Sequence, residues 1–233
     1  MGRVVAIGGF ATENAIRLDT YAVKLTNKET PNVLLVPTAA SDAQANVENG
    51  IAKFESLGCR VKALCLVTKS YTDEEMETLL SWADMIYVGG GDTISMMRVW
   101  REHGLDVRLK EIYRRDAAVL AGISAGAICW FACGHSDSES FHKKDGWSFC
   151  WAEGMLDLFH KVYCPHYNDA GRETFDAMLK EKDMVGLAVD NDAAFVENGA
   201  EQYCIRCNPN AQVYELQYVG GTLQKCAIEM LDI

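Results

Sequence analysis

A serine between small residues, Gly122-Ile123-Ser124-Ala125-Gly126, is the strongest chemical signal in the chain. A G-x-S-x-G segment makes a sharp turn between a strand and a helix and lifts the serine hydroxyl into a cleft. Small residues two positions to either side let that turn close without clashes. The backbone N–H of Ala125 then points into the same space as the hydroxyl. The start of the following helix adds partial positive charge where an oxyanion would form. A second glycine turn, Gly89-Gly90-Gly91-Asp92-Thr93, closes an earlier apolar run. Ligands of parallel sheets gather at the carboxyl ends of strands, so the N–H of Gly90 or Gly91 is the candidate second oxyanion donor. A phosphate cradle is the weaker reading of this turn. The Walker pattern with its lysine is absent, and no G-x-G-x-x-G follows the first strand.

A serine nucleophile needs a base. The chain holds five histidines, His103, His135, His142, His160 and His166. His103 sits at a predicted helix end beside Gly104, and His135, His142 and His160 lie in polar surroundings. His166 ends an apolar run, Tyr163-Cys164-Pro165-His166-Tyr167, where the proline restricts the backbone beside it. It is the candidate base. Nine cysteines, an odd number without framework spacing, read as reduced thiols. Cys204-Ile205-Arg206-Cys207 is a lone CxxC. A structural zinc would need a second pair, so no metal and no cofactor are expected.

The apolar periodicity that must position these groups alternates between strand and helix. Strands are predicted at 3–10, 32–38, 60–67, 85–88 and 118–123, with helices over 12–27, 42–57, 93–103 and 105–115. Thr72-Asp73-Glu74-Glu75 is a capping box that opens a helix to about Ala83. Ser124 opens a helix predicted to reach about Cys133. Residues 135–153 read as loops and short strands. A strand at 162–167, a helix at 171–182 and a strand at 185–189 follow. The tail alternates as strands with turns at Glu197-Asn198-Gly199 and Gly220-Gly221. Strands separated by helices imply right-handed crossovers and a mostly parallel sheet in an α/β/α sandwich. With no linker or repeat, residues 1–233 are expected to form one domain.

Composition narrows the partners. Of 233 residues, 49% are hydrophobic and 24% charged, the balance of a globular chain rather than a disordered one. The net charge of −11 lacks the basic footprint of a nucleic-acid or membrane-surface binder. Residues 117–134 carry no charge over 18 positions, a length that raises a transmembrane flag. The glycines within the run favour a buried strand leading into a buried helix. The start has no long apolar segment before a cleavage site, so a cytoplasmic setting is expected.

Three blocks carry a family resemblance: Val88-Gly89-Gly90-Gly91-Asp92-Thr93, Gly122-Ile123-Ser124-Ala125-Gly126-Ala127 and Pro165-His166-Tyr167, with Leu156-Asp157-Leu158-Phe159 before the histidine. In order and spacing the chain resembles peptidase family S51, which includes dipeptidase E (aspartyl dipeptidase) and cyanophycinase. The resemblance implies a class I glutamine amidotransferase-like fold and a metal-independent Ser-His-acid peptidase acting on small peptides, with Ser124 and His166 as nucleophile and base. It places the acid between them, at Ser136-Asp137-Ser138. Asp137 is the expected acid, with Glu139 as the alternative, since two residues on it would face the same side of a strand. The tail is longer than the dipeptidase E ending. The resemblance also suggests acidic substrates, such as dipeptides with an N-terminal Asp. Arg172, at the start of the helix from Gly171, could meet such a carboxylate at the cleft mouth; the plain alternative is a surface arginine beside Asp169 and Glu173. Rival functions are another amidase or esterase on the same elbow, and a non-catalytic small-molecule binding module. An α/β-hydrolase usually carries its histidine near the chain end, whereas 67 residues follow His166 here.

Overall fold

A computed structural model describes residues 2–143 and 146–233. In chain order the strands are β1 (Arg3–Ile7), β2 (Asn32–Val36), β3 (Arg60–Ala63), β4 (Met85–Val88), β5 (Val119–Ile123), β6 (Phe131–Ser136), β7 (Cys150–Glu153), β8 (Phe159–Cys164), β9 (Gly186–Val189), β10 (Ala193–Asn198), β11 (Glu201–Arg206), β12 (Val213–Val219), β13 (Thr222–Ala227) and β14 (Met230–Asp232). The helices are α1 (Ile16–Lys24), α2 (Gln44–Ser56), α3 (Asp73–Trp82), α4 (Thr93–Glu102), α5 (Leu105–Arg115), α6 (Ala125–Ile128) and α7 (Thr174–Met178). No helix among the described residues is long and apolar enough to cross a membrane.

Two sheets form. The first has the order β14-β11-β10-β1-β5-β4-β2-β3, with β1, β5, β4, β2 and β3 parallel and β10 antiparallel to β1. Alternation along β1 splits the core: Val5 and Ile7 pack with α1 and α2 on one face, while Val4 and Ala6 face the cluster of α3, α4 and α5. The second sheet has the order β13-β12-β9-β8-β6-β7, with β6, β8 and β9 parallel. It joins the first through an aromatic cluster in which Phe131 stacks on Tyr163 at 4.4 Å and meets Phe195 of β10 at 5.9 Å. The Tyr163 hydroxyl donates to the carbonyl of Ala6 at 3.1 Å, so this buried phenol is satisfied. Burial of one such ring contributes about 1.5–3 kcal/mol.

The predicted parallel core and both tail turns are present. The helix predicted from Ser124 to about Cys133 is not. It stops after one turn, and Phe131 opens β6 instead. An uncharged run this continuous fits a buried helix or a buried strand equally well. The long-range pairing of β6 with β7 and β8 decides the matter. The predicted helix at 171–182 is likewise shorter, α7 with a following 3-10 turn at Leu179–Glu181.

The sheets meet where the chain passes from β9 to β10. Gly9, just past β1, bridges Asn191 in parallel fashion. His166 N–H donates to Gly8 O at 3.2 Å, and Asp192 N–H to Gly9 O at 2.9 Å. This seam brings the carboxyl ends of β5, from the first sheet, and of β8 and β9, from the second, into one neighbourhood.

Candidate active site

Ser124 lies between β5 and α6 with φ 56° and ψ −116°, outside the regions that non-glycine residues favour. The surroundings hold it there. Its N–H donates to Ile7 O at 3.2 Å, and its carbonyl accepts from Ala127 and Ile128 N–H at 2.9 Å each. The two glycines of the motif explain themselves by distance. A Cβ on Gly122 would lie 2.1 Å from Gly126 O, and one on Gly126 would lie 2.2 Å from Val88 O. Only hydrogen fits at either place.

The Gly89-Gly90-Gly91 turn after β4 passes directly beside the serine. A Cβ on Gly90 would stand 3.2 Å from Ser124 Cβ and 3.8 Å from its Oγ. Among the described residues, the N–H groups of Gly90, Gly91 and Ala125 have no intrachain acceptor. Gly90 stands beside Ser124 and Ala125 follows it in the chain, so their N–H groups are the candidate donors to an oxyanion.

His166 follows β8 in the left-handed region, φ 52°, and its side chain is 23% exposed. Its Nδ1 lies 2.7 Å from Asn191 Oδ1 and 3.9 Å from an Asp169 carboxylate oxygen. Burial pushes the imidazole below its usual value, opposed by the Asn191 bond and reinforced by the nearby Arg172 charge. At neutral pH it is therefore the uncharged form, as a base must be.

Asp137, the expected acid, follows β6 and contributes only through-space charge at His166. Its carboxylate faces Arg172, 3.7 Å from Nη2. The residue bonded to the histidine is thus an amide from the connection between β9 and β10, not the aspartate after β6. Glu139 is not on a strand with Asp137, because residues 138–141 wind into a 3-10 turn. It is exposed and pairs with Lys143.

Arg172 is also not where the sequence suggested. Helix α7 begins at Thr174, and Arg172, before it, is 4% exposed rather than open at a cleft mouth. A buried guanidinium needs acceptors and packing. Here Nη1 donates to His135 O at 2.8 Å, and the plane lies 4.5 Å from the Phe149 ring centroid. His135, read from sequence as a residue in polar surroundings, is fully buried on β6. Burial and then the Arg172 charge push it down to about 3, so it is neutral.

Sequence reasoning missed Asn191 and Asp169. The only available cue was a polar triplet, Asp190-Asn191-Asp192, at the end of an apolar strand. It also missed the substrate-sized cavity of about 410 Å³ beside Gly89 and Gly90, whose walls include Phe10, Pro37, Tyr87 and Ile123. Lys53 lines it, held 2.7 Å from the buried Asp19 carboxylate and over the rings of Phe54 and Tyr87. Cys204 and Cys207 are buried free thiols, and no group of three His, Cys, Asp or Glu among the described residues is placed to hold a metal.

Comparisons with known proteins agree in direction. The model of "Peptidase family S51" matches residues 4–203. The chain is 32% identical over 200 residues to the "Uncharacterized peptidase YgaJ" of Bacillus subtilis (strain 168), covering 83% of this chain and 82% of that one. Among solved structures it is similar to a "Putative Peptidase E Protein" from Listeria monocytogenes EGD-e, with a TM-score of 0.68 and 24% identity, over 89% of this chain and 100% of the other. That likeness fixes the fold, which is class I glutamine amidotransferase-like.

Proposed function

The chain belongs to peptidase family S51, and on that premise we propose that it is a cytoplasmic serine peptidase cleaving small peptides, with N-terminal Asp preferred, through an acyl-enzyme. The observation that carries the reading is the strained elbow at Ser124, beside which the N–H groups of Gly90 and Ala125 find no acceptor among the described residues. His166 takes the proton of the Ser124 hydroxyl as its oxygen attacks the scissile carbonyl. The oxyanion sits between the N–H groups of Ala125 and Gly90. His166 then protonates the leaving amine, and water releases the acyl group with His166 again as base. The family resemblance gives Asp137 the acid's part; its field raises the imidazole pKa, while its nearest cation is Arg172.

Specificity rests on cations in an otherwise acidic protein. Arg172 lies close enough to lower the His166 pKa, and Lys53 lines the cavity beside Gly90. Arg172 is buried, so it meets a substrate carboxylate only if that carboxylate displaces Asp137 from the guanidinium. Nine free cysteines suit a reducing compartment.

The test is turnover of a dipeptide panel varied at the first residue. Ser124→Ala and His166→Ala should each drop to background, and the double variant no lower, because groups that act as a unit are non-additive. Arg172→Ala should lose kcat/KM on Asp-X by about 2–5 kcal/mol, far more than on neutral-X peptides. Equal losses on both classes would remove the Asp preference from Arg172. Activity surviving in either of the first two variants would remove the proposed chemistry.

A further inference from the structure

The inference rests on the reading of His166 as the base. We propose that Asn191, held by Asp169, is the residue that positions His166 and fixes which of its nitrogens carries the proton. Three contacts define the unit. His166 Nδ1 and Asn191 Oδ1 are 2.7 Å apart, Asn191 Nδ2 donates to Asp169 Oδ1 at 2.7 Å, and Asn191 N–H donates to Asn168 Oδ1 at 2.9 Å.

The amide's orientation follows from chemistry. An ionised carboxylate only accepts hydrogen bonds, so the amide edge that meets Asp169 must be the NH₂. The other edge, the carbonyl oxygen, therefore meets His166. A carbonyl oxygen only accepts as well, so Nδ1 must carry the hydrogen. The lone pair is left on Nε2, the nitrogen a base would present to the serine hydroxyl. Asp169 is exposed and chooses the amide's orientation; Asn191 is buried and transmits that choice.

The backbone is built around the pair. A Cβ on Gly9 would lie 1.9 Å from Asn191 Oδ1 and 2.2 Å from His166 Nδ1. The same glycine bridges Asn191, and the neighbouring Gly8 accepts from His166 N–H. One glycine pair at the end of β1 thus seats both partners, one from the turn after β8 and one from the connection between β9 and β10. The charged groups around the imidazole are Asp137 from the end of β6, Asp169 from the turn after β8, and Arg172 from the approach to α7. Asn191 is the uncharged member, so it orients the ring without adding a carboxylate beside it.

The experiment measures kcat, KM and the pH profile of kcat/KM on the best dipeptide for wild type, His166→Ala, Asn191→Ala, Asn191→Asp combined with Asp169→Asn, and Asp169→Ala. Asn191→Ala should lower kcat roughly 10²-fold, the scale of a catalytic group misplaced by about an ångström, with KM nearly unchanged. Asn191→Asp, made together with Asp169→Asn so that an amide and not a second carboxylate faces it, keeps an acceptor at Nδ1 and should recover most of that loss. It should also move the acid limb to higher pH by about one unit, because a carboxylate favours the imidazolium. Asp169→Ala, at an exposed position, should lower kcat by a smaller factor, since the amide is then free to turn. A merely structural Asn191 would show no rescue and no moved limb. The proposal is overturned if Asn191→Ala retains wild-type kcat, or if Asn191→Asp with Asp169→Asn neither rescues nor shifts the profile, while His166→Ala is inactive. An active His166→Ala would instead overturn the base assignment, and this inference with it.

Discussion

Ser124 occupies a conformation that costs a non-glycine residue about 1–3 kcal/mol, and its neighbours hold it there. That position was legible in the sequence because the turn demands glycine at fixed offsets. Asn191 was not legible: it stands 25 residues from His166, and an amide carries no charge to mark its partner. Asp137 is the opposite case: a carboxylate between serine and histidine marks itself by its charge, and in the structure it faces the buried Arg172 guanidinium. His135 yields a prediction at this scale. Its ordinary value is 6.5 and the fold holds it at about 3. Between those values the unfolded chain binds a proton that the folded chain refuses. The uncharged imidazole's contribution to stability is therefore whole above pH 6.5 and is lost as pH falls toward 3. From pH 6.5 to 5 the loss is about 2 kcal/mol from this group alone. Urea denaturation at pH 7 and pH 5 should show a smaller acid loss for His135→Gln by about that amount. An unchanged loss would assign it to other groups.

Elements whose signals are local were read correctly. The Thr72 capping box is complete: Glu75 N–H donates to the Thr72 hydroxyl at 3.2 Å, and Thr72 N–H to the Glu75 carboxylate at 2.7 Å. Strand β4 ends as predicted, at the glycine turn. Elements that depend on distant pairing were not read. Helix α6 has four residues because Phe131 and Cys133 pair with β8, information absent from residues 117–134 themselves. Two substitutions separate these cases. Thr72→Ala should cost about 1 kcal/mol and leave kcat unchanged, because the cap touches no group of the site. Gly126→Ala forces a methyl to within 2.2 Å of Val88 O. It should cost about 1–3 kcal/mol as an overpacked site and also lower kcat, since the elbow must shift. Thermal melts with parallel assays check both. Full activity in Gly126→Ala would mean the elbow does not need this close approach.

At the scale of the whole molecule, the candidate site lies where two sheets share one seam. The serine and the glycine turn follow strands of the first sheet, the histidine follows β8 of the second, and its amide partner sits on the link from β9 to β10 that joins them. The parallel core was visible as apolar runs broken by helical periodicity. The second sheet was not, since its strands are interrupted by polar segments and register only against one another. The net charge of −11 repels acidic peptides at a distance, so any Asp preference must come from nearby cations. The central claim is that this seam makes Ser124 a nucleophile. Its most direct test is intact-mass and peptide-mapping spectrometry after treatment with a small fluorophosphonate. We expect one adduct, mapped to Ser124, and none on Ser124→Ala or on His166→Ala within the same time. No adduct on the folded wild type, or an adduct elsewhere that persists in Ser124→Ala, would contradict it.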